Sequence, residues 1–429
     1  LYSEKILTLS AGVGVVGLGY VGLPLVILVG QKELPVVGID QDEKRIESIR
    51  QGKSYVSDIA DYEILALLEN GIITVSTDFG KLSSCAVIVV CVPTPLTAGK
   101  KPDYSCLINA ACSVAAVLSP GQLVIVESTV APGTTEGIIL PILQSGGMKA
   151  GSDFFLSYSP ERIDPGSREY CLSNIPKLVS GVTPACLNRA QLFYNLLGMT
   201  VVPVGTPETA EMAKLLENTY RDVNIALVNE MAQVCRAAGI DIWDVIEAAS
   251  TKPFGFQAFY PGPGVGGHCV PVDSSYYAFF ARENNEPAAF AEHARRVNSA
   301  MPQYAAALAR EALAAAGKTA AGSRVLVLGA AYKKDVNDAR ESPVIKLIEC
   351  LRSEGAEVGY HDPLVEKIST ATGEMNSVSL DEITLSGYDC SVLAVAHSTF
   401  NLPWLAAHSS MLVDLTGSLP KQAGRVISL

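Results

Sequence analysis

Several absences narrow the class of this chain before any motif is considered. Its 429 residues hold ten cysteines, and no two of them form a C-x-x-C pair. That is too sparse for a disulfide framework, so reduced thiols and a cytoplasmic protein are expected. Histidine is scarce: five residues, scattered, with no H-E-x-x-H or paired-cysteine spacing, so no metal site is expected. Basic residues are in deficit, with 32 Lys and Arg against 44 Asp and Glu, a net charge of −12. Nucleic acid and anionic membrane surfaces are bound through basic patches that release counterions, so neither is an expected partner. Clean apolar runs are also missing. The uncharged stretch 11–31 comes nearest to a membrane span, but Gly12, Gly14, Gly17, Gly19, Gly22 and Pro24 interrupt it, and Glu4 and Lys5 supply no strongly basic leader. It reads as a buried strand, a tight turn and a helix start.

What is present is globular: 48% hydrophobic residues, 18% charged, and a length that suits two or three domains. Short apolar runs at 13–17, 35–40, 72–77, 86–92, 123–127 and 154–158 alternate with helical stretches such as 62–69 and 105–118. Strands that are apolar throughout imply a parallel sheet covered on both faces. At Thr206-Pro207-Glu208 a hydroxyl cap, a proline and an acid announce a helix. Ala213, Leu216, Tyr220, Val223, Leu227, Met231 and Val234 then recur at steps of three and four until Gly239, which predicts a spine of about 32 residues, roughly 48 Å long. That helix is expected to join two domains and to pack against a second subunit. The strand–helix pattern restarts after Gly317, with strands at 324–328, 357–360, 391–396 and 411–415. The expected fold is α/β, two doubly wound Rossmann-like domains joined by a long helix. Its expected regions are 1–205, a central helical region 206–316, and 317–429.

Three groups of residues carry chemistry. Gly17, Gly19 and Gly22 stand in G-x-G-x-x-G spacing within VGLGYVG, after a strand and before a helix, with Asp40 at the end of the next strand. Gly17 permits the turn, Gly19 lets backbone approach a pyrophosphate, Gly22 lets helix and strand pack, and Asp40 can accept both ribose hydroxyls, favouring NAD over NADP. The second group is PGPGVGGHCVPVD, whose glycines suit a close-approaching loop for a diphosphate. Cys269 there reads as a nucleophile, with His268 beside it and Asp273 four residues on, whereas Cys85, Cys91 and Cys235 read as small buried thiols. The third is Lys214 and Asn218, one helical turn apart and able to face one developing oxyanion.

Together with GLGYVGLP, CVPTP, ESTVAPGTTE, SPER, EMAKLLENTYR, GGHCVPVD and AYKKDVNDARESP in that order, these residues resemble the UDP-glucose/GDP-mannose dehydrogenase family along nearly the whole chain. The resemblance implies an NAD-binding domain, a central dimerising region and a UDP-binding domain. It implies four-electron oxidation of C6 of a nucleotide sugar with two NAD, through a cysteine thiohemiacetal and thioester. Carried over by position, Cys269 is the nucleophile, Lys214 and Asn218 stabilise oxyanions, Asp273 assists proton transfer, and Thr129 and Glu161 position water or act as base. Tyr20, Val21, Arg45, Thr94, Thr129 and Arg340 join the glycines and Asp40 in cofactor binding. Arg162, Phe259, Tyr260, Gly264, Gly266, Gly267, Tyr332 and Lys333 join Glu161, Lys214 and Asn218 at the UDP-sugar. A homodimer through the central helix is implied as well.

One departure stands out. Many UDP-glucose enzymes carry a second glutamate four residues after Glu161; here Pro165 occupies the place, leaving the role unfilled or to Arg162 or Asp164. SPERIDPG, KPFGF and GGHC resemble the branch acting on UDP-N-acetylhexosamines, with UDP-N-acetylglucosamine the expected substrate and surface polysaccharide synthesis the expected use. UDP-glucose or UDP-N-acetylmannosamine is the alternative within the class. Outside it stand a non-catalytic sensor of NAD or nucleotide sugar, and a two-electron hydroxy-acid dehydrogenase, neither of which needs the cysteine.

Overall fold

Six four-residue strands of almost purely apolar composition make the first sheet of the computed structural model, which describes residues 12–56, 59–163, 170, 172, 174–267, 270–419 and 426–429. All pairings are parallel, in the order β3 (Ile73–Ser76), β2 (Val36–Ile39), β1 (Val13–Val16), β4 (Val87–Val90), β5 (Leu123–Val126), β6 (Phe155–Tyr158). The unbroken apolar runs follow from where successive side chains go. Val87, Val89, Leu123 and Ile125 enter the core on one face, while Ile88, Val90, Val124 and Val126 enter the core on the other. Each such side chain taken out of water contributes about 1.5–3 kcal/mol. Strand order reverses between β1 and β4, so these two strands flank the crevice where doubly wound sheets bind ligands at their C-terminal edge.

The chain divides into two compact units, Leu1–Glu217 with Phe279–Glu286, and Asn218–Ala278 with Pro287–Leu429. The expected regions were 1–205, 206–316 and 317–429. The residues of the middle region show why the compact units number two. Ala232, Ile242, Ile246, Met301, Ala305 and Ala309 share one hydrophobic core with Val325, Val327, Leu347 and Val392 of the C-terminal region.

In the first unit a small sheet follows β6: β7 (Lys177–Val179) pairs in parallel with β8 (Val201–Pro203), across the helix Pro184–Leu196. Strands of three residues leave no periodic signature, and the sequence pattern did not reveal them. In the second unit β9 (Arg324–Leu328), β10 (Glu357–His361), β13 (Cys390–Leu393), β14 (Leu412–Asp414) and β15 (Val426–Ser428) form a parallel sheet in the order β10-β9-β13-β14-β15. An antiparallel hairpin, β11 (Lys367–Thr370) and β12 (Gly373–Asn376), precedes β13.

The long helix spans Pro207–Ala237, 31 residues. Thr206 caps it, accepting the Thr209 N–H at 3.2 Å, and Gly239 closes it with φ +72°. Its apolar stripe is exposed: Leu216, Tyr220, Leu227, Met231 and Val234 are each 40–66% accessible. In the second unit its buried face is partly polar. Asn298, on the 27-residue helix Ala289–Ala315, donates to the Asp222 carboxylate at 2.8 Å and to the Asp222 carbonyl at 3.0 Å. Asn229 donates to Asn298 at 2.9 Å and accepts the Gly262 N–H at 2.9 Å, tying the glycine-rich loop to both helices. Arg295 pairs with Asp222 at 2.9 Å. No helix among the described residues is long and apolar enough to cross a membrane.

This seam sets a stability prediction. Asn298→Ala leaves Asp222 and Asn229 buried with lost partners, and should cost about 3 kcal/mol in urea unfolding. A loss below a few tenths of a kcal/mol would mean that the seam is not holding these helices.

Candidate active site

The glycine turn after β1 is built by exclusion. A β-carbon on Gly22 would lie 1.8 Å from the Gly17 carbonyl oxygen, and one on Gly17, whose φ is +91°, would lie 2.7 Å from the Cys91 carbonyl. Around Gly19 a β-carbon would meet nothing within 4 Å. Two glycines therefore serve packing, and the third leaves open space at the start of the helix Gly22–Gln31, where Tyr20 and Val21 lead into the first turn. Asp40, just beyond β2, is buried and held: it accepts the Leu18 N–H at 2.8 Å and the Asp42 N–H at 2.9 Å. Arg45 reaches the same carboxylate at 3.2 Å. After β4, Thr94 donates its hydroxyl to the Thr129 carbonyl at 2.7 Å, joining the loops that follow β4 and β5 at the crevice. The open space at Gly19 and the fixed acid at Asp40 fit a dinucleotide with free ribose hydroxyls.

Glu161, three residues past β6, accepts the Arg162 and Ile163 N–H groups at 2.6 and 2.7 Å through one oxygen. Its other oxygen takes Lys177 at 2.8 Å. Burial alone would push this carboxyl up, but Lys177 and the two backbone N–H groups pull it below the ordinary carboxylate range. Lys177 is also 3.1 Å from Glu127, at the end of β5, and Tyr194 donates its hydroxyl to Glu127. The motif reading missed Lys177, Glu127 and Tyr194. An acid closing the apolar run LVIVE, and a lysine within the apolar IPKLV, were the available signals. Arg162 is engaged elsewhere: its guanidinium pairs with Glu217 at 2.7 Å and donates to the Pro176 carbonyl at 2.7 Å. These contacts account for Arg162 as a clamp on the protein itself. Lys214 is buried on the long helix. Asp164 and Pro165 lie outside the described residues.

In the second unit, Asn218 donates its side-chain amide to Asp273, 55 residues away, and both are at least nine-tenths buried. Asp273 stands in the first turn of the helix Val270–Glu283. The loop before that helix packs on two others. A β-carbon on Gly266 would lie 2.6 Å from the Pro343 ring and 2.8 Å from the Glu341 carbonyl; one on Gly267 would lie 2.9 Å from the Tyr332 ring. Gly264, with φ +129°, comes as near to the Asn298 carbonyl. Sequence reasoning gave these glycines to a diphosphate; the structure shows a protein reason for each, and sets Tyr332 directly against the loop. Lys333 follows on the same segment. Phe259 meets Tyr220 edge-on at 5.7 Å, and exposed Tyr260 stacks on Trp243 at 6.2 Å. Arg340, expected at the cofactor, is exposed and forks onto Asp338 at 2.7–3.1 Å. His268 and Cys269 lie outside the described residues. Cys85 and Cys235 are buried and Cys91 half-buried, with burial pushing the Cys85 thiol up to about 11.

Three models of the UDP-glucose/GDP-mannose dehydrogenase family match the chain in succession: the NAD binding domain over residues 11–197, the central domain over 208–300 and the UDP binding domain over 326–419. A UDP-N-acetyl-D-glucosamine 6-dehydrogenase of Pseudomonas aeruginosa is 37% identical over 415 residues, covering 94% of this chain and 96% of that protein. A UDP-N-acetyl-D-mannosamine dehydrogenase of Pyrococcus horikoshii is 36% identical over 401 residues, 93% of each. The solved structure of the UDP-D-ManNAc dehydrogenase from Pyrococcus horikoshii matches with a TM-score of 0.87 at 33% identity, covering 97% of this chain and 98% of that one. The chain is an NAD-dependent dehydrogenase.

Asp40 gives the site its first test. If Asp40 accepts ribose hydroxyls as its position suggests, Asp40→Ala, which also strands the Leu18 N–H, should raise the Kd for NAD about tenfold or more by calorimetry. An unchanged Kd would remove Asp40 from the cofactor site.

Proposed function

We propose, for a chain that belongs to the UDP-glucose/GDP-mannose dehydrogenase family, that it oxidises C6 of UDP-N-acetylglucosamine from alcohol to acid. The observation that carries the reading is full-length likeness to a UDP-N-acetylglucosamine 6-dehydrogenase, joined to the pairing of Asn218 with Asp273 at the end of GGHCVPVD. NAD, when bound, accepts one hydride at each of two oxidations. The chain's own groups do the remaining work. An aldehyde lacks a tetrahedral carbon from which the second hydride can leave, so the Cys269 thiolate adds to it and forms a C–S bond. Loss of the second hydride and the hydroxyl proton leaves a thioester. Water then adds, the C–S bond breaks, and the acid departs. Lys214 and Asn218 stabilise the oxyanions, and Asp273, aligned by Asn218, handles protons. Glu161, ionised, and Thr129 order the hydrolytic water. The uronate product would supply surface polysaccharide synthesis.

UDP-N-acetylmannosamine is the second reading, favoured by the likeness to the Pyrococcus horikoshii enzyme. A panel of UDP-hexoses followed by NADH absorbance decides between them. The expected result is two NADH per UDP-N-acetylglucosamine consumed, and Cys269→Ser should lower kcat by at least about 1,000-fold. One NADH per sugar would indicate a simple alcohol dehydrogenase, none a sensor, and normal acid production by the serine variant would end the covalent mechanism.

The exposed stripe Leu216, Tyr220, Leu227, Met231 and Val234 supports a homodimer through the long helix. Leu227→Glu with Val234→Glu should convert dimer to monomer in light scattering. A dimer unchanged by both charges would place the interface elsewhere.

A further inference from the structure

Lys177, which stands in none of the motifs, joins two acids that do, Glu127 of ESTVAPGTTE and Glu161 of SPER. Its ammonium is 3.1 Å from Glu127 and 2.8 Å from Glu161, and its side chain is 4% exposed. One cation thus answers two buried carboxylates. Glu127 is held in turn by the Tyr194 hydroxyl and by the Cys91 thiol at 3.9 Å, and the Tyr194 ring lies 5.4 Å from the ammonium. The contacts of Glu161 are divided between its oxygens. Oε1 receives both backbone N–H groups, whereas among the described residues Oε2 receives only Lys177, and it keeps a lone pair for a further donor.

We propose that Lys177 is a positioning residue: fixed by Glu127 and Tyr194, it aims Oε2 of Glu161 at the water that releases the acid product. The inference rests on the reading above, in which a thioester must be hydrolysed. In that step the water oxygen bonds to the acyl carbon and its proton passes to Oε2. The C–S bond then breaks, with the electron pair staying on sulfur. No oxidant is needed.

Among the described residues, the charges beside Glu161 are Lys177 and, across that lysine, Glu127, with the Arg162–Glu217 pair on the next residue and Cys91 and Tyr194 around Glu127. Burial pushes Cys91 and Tyr194 far up, so both stay neutral. Burial also pushes Glu127 up, against the pull of Lys177. For Glu161 the balance falls the other way: burial is the largest single influence, but Lys177 and the two backbone N–H groups together outweigh it. If Lys177 is removed, only the two backbone N–H groups still oppose burial, and Glu161 gives up its proton only at higher pH. If Glu127 is neutralised instead, the cation answers Glu161 alone and the shift has the opposite sign.

The test uses the full-length enzyme with NAD and UDP-N-acetylglucosamine, comparing Lys177→Met, Lys177→Arg and Glu127→Gln. Lys177→Met should keep kcat/KM within about threefold and keep the burst of two NADH per active site, while kcat and KM fall together, kcat about 100-fold. Intact mass after acid quench should show the acyl adduct accumulating. The acid limb of the kcat profile should move up by about one pH unit or more in Lys177→Met, and down in Glu127→Gln. Lys177→Arg should restore most of kcat. Unchanged kcat and acid limb in Lys177→Met would overturn the inference, as would burst and kcat falling together with no adduct. If Lys177→Met does not fold, an unchanged or upward limb in Glu127→Gln overturns it equally. Wild-type enzyme that yields no NADH with any UDP-hexose would instead sink the functional reading itself.

Discussion

The first unit depends on a contact that a single methyl group would destroy. The space between the Gly17 carbonyl and Gly22 is too small for any β-carbon, since one on Gly22 would come within 1.8 Å of that oxygen. This approach lets the helix Gly22–Gln31 begin directly at the end of β1 and point its first turn at the crevice beside β4. The open surface at Gly19, the reach of Asp40 from β2 and the Thr94–Thr129 link are arranged around that turn. A larger residue at Gly19 would fill the space left for a ligand, whereas one at Gly17 or Gly22 would move the helix. The three glycines of one motif thus do two different kinds of work.

Strand ends supply the rest of the site because there the sheet stops consuming backbone groups and the core stops excluding charge. Asp40, Glu127 and Glu161 each stand just past a buried strand, and each is held by N–H groups or by a cation. Burial alone pushes the Glu127 and Glu161 carboxyls up; their partners decide how far each moves. Glu161 and Glu127 share one lysine and end on opposite sides of the ordinary carboxylate range, Glu161 lowered and Glu127 raised. Two neighbouring acids whose pKa values are pushed apart by their surroundings are the arrangement that acid–base chemistry uses.

What could be read from the residues was whatever the backbone writes in a regular period or at fixed spacing. The six strands of the first sheet were legible because both faces are buried, and the ends of the long helix because Thr206 and Gly239 mark them. The three-residue strands β7 and β8 were not, since so few residues carry no period. Lys177 reaches Glu127 and Glu161 across 50 and 16 positions, and no local pattern encodes that meeting. The glycine loop at 264–267 was legible as a loop that needs close approach. Its partner was not, because Tyr332 and Pro343 lie more than sixty residues further on.

The long helix reverses the usual rule for amphipathic segments, and the reversal has a physical consequence. Its periodic large side chains, Leu216, Tyr220, Leu227, Met231 and Val234, face outward, while Asp222 and Asn229 are fully buried against Asn298. Burying a carboxylate and two amides is tolerable only when each finds its partner, so this face demands one register and one neighbour. An apolar face would be satisfied by many arrangements and would specify none so tightly. Gly262 hangs from the same seam through Asn229, so the loop that leads to Asp273 inherits its position from the polar contacts. Beside buried Leu215, Val228 and Ala232 the helix therefore sets a few polar residues inside, where placement matters, and leaves a row of large apolar ones outside, where only another apolar surface can satisfy them.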